Sequence, residues 1–131
     1  MPSHNIDRSW SSGNESDAGR EIITADAELR IDLPVAHSTT DLSASVPIDV
    51  SAVKSLYIKS DKDVQIETNG SGGSADDTLQ LKANVPLIWT PNSGFACPLT
   101  VDVVTMLVTN SGSTADDDAT VRIRVLIDPT P

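Results

Sequence analysis

The one thiol of this chain, Cys97, stands in the run Phe95-Ala96-Cys97-Pro98, and the only imidazoles that could activate it are His4 and His37. A cysteine nucleophile needs a base within reach. Both histidines fall in the polar N-terminal third, so Cys97 reads as a small apolar filler. A single cysteine also leaves no intramolecular disulfide, and the framework of a small stapled secreted domain is missing. Two acidic stretches, Asp76-Asp77 and Asp116-Asp117-Asp118, invite a calcium reading. Calcium gathers about six to eight oxygens from spaced ligands, and neither stretch has the alternating spacing of an EF-hand loop, so both read as solvated loops. Any two of the 19 acids could meet as a glycosidase pair, yet nothing singles out a pair, and Glu67 reads as an outward-facing strand residue. Phosphate-loop, dinucleotide, zinc and serine-nucleophile motifs do not occur. The expectation is a protein that is not an enzyme and takes no cofactor and no metal.

Binding or building is the class of function that remains. A net charge of −10 argues against nucleic acid, whose phosphates demand Lys and Arg, and against anionic membrane surfaces. No apolar run approaches the length of a membrane span, and the N-terminus shows no hydrophobic signal region, so synthesis in a cytoplasm without general export is expected. The aromatic residues are Trp10, Tyr57, Trp89 and Phe95. A carbohydrate-binding module would use such rings as a platform, and Trp89 and Phe95 straddle the turn Pro91 to Gly94. The plainer reading packs those two rings on one another and on the core.

The elements that must position these residues are strands. In Thr120 to Asp128, Val121, Ile123, Val125 and Ile127 alternate with Arg122, Arg124 and Asp128, the period of two that a half-buried strand needs. Leu29 to Leu33 alternates before Pro34 ends it, and Val46 to Val50 forms a short edge strand because Pro47 cannot donate to an interior ladder. Asp49 or Ser51 caps a single helical turn reaching Lys54. Further strands are expected at Ser55–Ser60, Val64–Thr68, Thr78–Ala83, Pro86–Trp89 and Val101–Asn110, with Asp61-Lys62-Asp63 closing a hairpin. His37 to Ser45, Asn69 to Asp77 and Ser111 to Asp118 read as polar loops, and Pro129 and Pro131 stop the last strand. With aromatics at 3%, Val, Ile, Leu and Ala must fill the core. About seven or eight short strands and no long helix describe an all-β chain, an antiparallel β-sandwich of jelly-roll-like kind. An immunoglobulin domain would show paired cysteines around a core Trp. Residues 1–19 are expected as a flexible polar arm with Trp10 as its docking anchor, and residues 20–131 as the sandwich domain.

In Val101 to Val108 the alternation fails, since Val103, Val104, Met106, Leu107 and Val108 place apolar groups on both faces. A strand apolar on both sides is covered twice. The expectation is an oligomeric contact through Val104, Met106 and Val108, with Trp10 completing the interface set.

The run from Val53 to Pro131 resembles small proteins encoded among the head genes of tailed bacteriophages. Carrying the resemblance are Ser55-Leu56-Tyr57-Ile58-Lys59-Ser60, Thr78-Leu79-Gln80-Leu81-Lys82-Ala83-Asn84, Pro86-Leu87-Ile88-Trp89, Leu107-Val108-Thr109-Asn110 and Arg122 to Pro131. Such proteins look like capsid decoration, or cement, proteins. The resemblance implies a β-sandwich or jelly-roll, often a homotrimer, on the outer surface of the virion shell with the major capsid protein as partner. A phage tail or receptor-binding module built on the same sandwich, or a carbohydrate-binding module, is the alternative.

Overall fold

The computed structural model describes residues 1–128, so the expected stop at Pro129 and Pro131 lies outside the described residues. The described residues form ten strands: β1 (Ser3–Ser12), β2 (Glu15–Thr24), β3 (Ala27–Val35), β4 (Thr39–Ile48), β5 (Val53–Ser60), β6 (Val64–Thr68), β7 (Thr78–Leu81), β8 (Leu87–Trp89), β9 (Val103–Asn110) and β10 (Ala119–Ile127). All pairings are antiparallel. Two four-stranded sheets form, ordered β3-β10-β5-β8 and β4-β9-β6-β7, beside a separate two-stranded ribbon of β1 and β2. The chain is therefore all-β and sandwich-like.

Alternation builds the core between the sheets. Val121, Ile123 and Val125 of β10, Leu56 and Ile58 of β5, Val64 and Ile66 of β6, and Met106 and Val108 of β9 are buried there. Arg122 and Arg124 leave β10 on the opposite face, Arg122 exposed and Arg124 half-buried. The expected helical turn is a one-turn 3-10 helix, Val50–Ala52, and the Asp49 carboxylate accepts from the Ser51 N–H at 3.1 Å.

Four local expectations are corrected. Asp61-Lys62-Asp63 does not close a hairpin: β5 is flanked by β10 and β8, and β6 by β9 and β7, so the turn passes from one sheet to the other. Asp61 and Asp63 instead tie neighbouring connections, accepting from the Thr120 and Ala83 N–H groups, each at 2.8 Å. Most of the segment expected as a loop from His37 to Ser45 belongs to β4. Pro34 does not end β3, which runs to Val35; β3 and β4 are both edge strands, where Pro34 and Pro47 need no ladder donor. Finally, Met106 and Val108 point into the core and are fully buried, while Val104 is 67% exposed. The reason lies at the start of β9, where the Asn69 side-chain oxygen accepts from the N–H groups of Val104 and Thr105, at 2.8 and 3.3 Å. Pairing with β4 shifts register at the same place. Val103 and Met106 both turn inward as a result, and the face drawn through Val104, Met106 and Val108 does not exist.

Candidate functional site

The ribbon is the feature the sandwich does not require. Its turn is Gly13-Asn14, with positive φ (58°) at Gly13, as expected of a two-residue hairpin loop with glycine first. The paired register runs from Ser3↔Thr24 to Ser12↔Glu15, which puts residues 1–19 in β1 and the start of β2, and the 19/20 boundary inside an element. Period two sets His4, Ile6, Arg8 and Trp10 on one face of β1. The base of that face is seated: Ile6 is 7% exposed. Beyond it, residues 8–20 are exposed throughout, Trp10 at 57%. The ribbon thus has a held base and a free tip.

Two polar clamps hold the base. The first is His4, whose Nδ1 lies 2.7 Å from the Ser55 hydroxyl of β5 and whose Nε2 lies 2.6 Å from the Glu28 carboxylate of β3. An ionised carboxylate only accepts, so Nε2 donates to Glu28, while Nδ1 accepts from the Ser55 hydroxyl when the ring is neutral and donates to it when the ring is protonated. Ser55 and Glu28 flank Leu126 across the sheet. Leu126 faces away from the core yet is fully buried, because β1 lies over it. Burial pushes the Glu28 carboxyl up, but the hydrogen bonds and charges of Arg30 and His4 outweigh it and hold the group below its ordinary value. The second clamp is Glu21 of β2. Its carboxylate accepts from the Thr90 hydroxyl (3.0 Å), the Asn92 amide (2.9 Å) and the Arg8 guanidinium (3.2 Å). The Asn92 hydrogen bond, reinforced by Arg8 and Thr90, holds Glu21 below the usual carboxylate range against its burial.

Ser55, His4 and Glu28 stand in the order of nucleophile, base and orienting carboxylate. Ser55 is fully buried under the imidazole, and the relay joins β1 to β3 and β5. Cys97 is half-buried against the core, and its thiol is pushed up by burial and by the charge of Asp77. Asp117 is occupied with the N–H groups of Ser113 and Thr114, and Asp118 with those of His37. Glu67, expected to face solvent, is 7% exposed and accepts from the Gly72 N–H.

Of the four residues expected at an interface, Trp10 and Val104 are exposed and Met106 and Val108 are core. Trp10 rides on the ribbon and Val104 on β9, so the structure does not gather them into one surface. The residues that sequence reasoning missed are His4, Glu21, Glu28, Ser55 and Thr90. The hairpin that carries His4 and Glu21 had a signal in the Gly-Asn pair between two ten-residue segments and in the alternation His4, Ile6, Arg8, Trp10, whereas their distant partners Glu28, Ser55 and Thr90 had none. Compared with known proteins, the chain matches no family model, no curated protein and no solved structure.

Proposed function

We propose that this chain is a structural virion protein, a decoration or cement protein that seats on the outer surface of a tailed-phage head and stabilises it by binding, without catalysis. The observation that carries the reading is the ribbon. A two-stranded hairpin is marginal by itself in water, yet this one extends past its two clamps and presents Trp10 at 57% exposure. Trp is the residue type that most often anchors an interface. The strand order β3-β10-β5-β8 against β4-β9-β6-β7 supports a jelly-roll, the double-sheet arrangement of viral capsid and lectin domains. That likeness concerns architecture; the function rests on the ribbon.

In this reading the major capsid protein is the partner and three copies share a seat where capsid subunits meet. Contact energy is spread over many residues, with Trp10 as the anchor. The net charge of −10 favours basic capsid residues at the rim, so added salt weakens attachment.

The test uses heads purified from a phage lysate deleted for this gene. Added protein should sediment with the heads and raise the temperature at which they release DNA. Trp10→Ala should weaken that binding by about 2 kcal/mol, roughly thirtyfold, with unchanged circular dichroism. Heads that neither bind the protein nor gain stability overturn the reading, and binding to purified tails alone transfers it to a tail module.

A further inference from the structure

One row of side chains crosses all four strands of the first sheet beside the ribbon: Arg30 of β3, Arg124 of β10, Tyr57 of β5 and Ile88 of β8 are successive cross-strand partners. These residues floor a cleft of about 390 Å³ whose wall is β1, with Ile6 and His4 at its foot. The volume is at the small end of the range of ligand pockets, about 300–1,000 Å³. The cleft lies at the seam between two elements, next to the Ser55–His4–Glu28 clamp.

We propose that this cleft is a binding site for a neutral saccharide of one or two rings. Its charges are already paired, Arg30 with Glu28, Arg124 with Asp32 and Asp7 with Arg20, so neither an anion nor a cation is favoured. An apolar ligand would bury those groups without replacing their water, at a cost for each. A polyhydroxylated, uncharged ring answers both constraints. Each hydroxyl donates and accepts, which suits a lining that mixes carboxylates and guanidinium groups. The Tyr57 ring, half-buried and central in the row, gives the flat apolar surface on which the C–H face of a sugar stacks. The guanidinium of Arg124 is fixed before any ligand arrives: it donates to the Ile31 carbonyl at 3.1 Å and to Asp32 at 2.9 Å. Such prior fixing lowers the ordering cost of binding.

The site is independent of the ribbon tip, so it is tested without phage heads. Saturation-transfer NMR on the full chain would screen glucose, galactose, mannose, N-acetylglucosamine and their common disaccharides, with glucuronate and glucosamine as charged controls, and titration calorimetry would give affinities for those that bind. The expected result is millimolar or tighter binding of a neutral member. Tyr57→Ala should lower its affinity at least about tenfold, and Tyr57→Phe, which keeps the ring, should retain it to within a few-fold. Circular dichroism establishes that each variant is folded. If no neutral saccharide binds, if only a charged control binds, or if Tyr57→Ala binds as well as the parent chain, the proposal is overturned, whatever the outcome with phage heads.

Discussion

Removing the His4 imidazole leaves the buried Ser55 hydroxyl without a partner and Glu28 with Arg30 alone. An orphaned polar group of this kind costs about 1–3 kcal/mol, and the cost falls on the seam between ribbon and sheet. His4→Ala should therefore release the ribbon before it unfolds the sandwich. Native-state hydrogen exchange reads this directly: the amides of Asn5 to Arg8 should lose protection while those of β5 and β10 keep theirs. Loss of both together would mean that the ribbon is part of the global unit. Acid should have the same effect by the other partner. Glu28 and Glu21 are held below their ordinary values in the fold. The stability they contribute is thus complete above the unfolded carboxyl value, about 4.3, and is lost as pH falls through their lower folded values. An NMR titration of the Ile6 methyl groups below that pH should show the ribbon detaching. None of this clamp was readable from spacing, because His4 meets partners 51 and 24 positions away. What the sequence does show is a histidine in a polar segment, the same fact that removes a base for Cys97.

The ribbon as an element depends on its turn. Gly13 sits at φ 58° with nothing within 4 Å of an added Cβ, so the constraint there is conformational, not spatial. A left-handed backbone costs an L-residue about 1–2 kcal/mol, most for a β-branched one. Gly13→Val should fray the tip, exposing Ser9–Ala18 amides to exchange, and should weaken attachment to heads by a similar factor to that free energy, about five- to thirtyfold. An unchanged exchange pattern would show that the tip holds itself without this turn. The Gly-Asn signal was present in the sequence, but a polar composition led to the expectation of an unstructured arm. A similar composition hid β4: Leu42, Ala44, Val46 and Ile48 alternate strictly, among Ser, Thr and Asp residues that an edge strand can leave in water. Strand identity was therefore legible wherever the alternation was read before the polarity. The bend at β9 was not, because it is imposed by Asn69 from the loop that follows β6.

At the scale of the whole molecule, the order of strands is what local pattern cannot supply. From β3 onward only β6 and β7 are consecutive neighbours; every other connection passes between the sheets. Such pairings are non-local, and their choice rests on which faces must be buried together. The burial of β9 is the sharpest instance. Sequence alternation put Met106 and Val108 on an outer contact with Val104, whereas the fold places both in the core and leaves Val104 in water. The two arrangements predict opposite behaviour for a matched pair of substitutions. Met106→Glu places an unpaired charge among Ile48, Ile66 and Val108, which are all fully buried. That costs several kcal/mol, a large fraction of the ~5–15 kcal/mol that holds a domain together. The expected outcome is an unfolded or strongly destabilised chain, read as loss of the thermal transition in circular dichroism. Val104→Glu adds the same charge to a side chain already 67% exposed and should change stability by less than about 0.5 kcal/mol. If Met106→Glu instead folds normally and only changes the oligomeric state in light scattering, then β9 presents that face to a second copy and the packing described here is wrong at the centre of its second sheet.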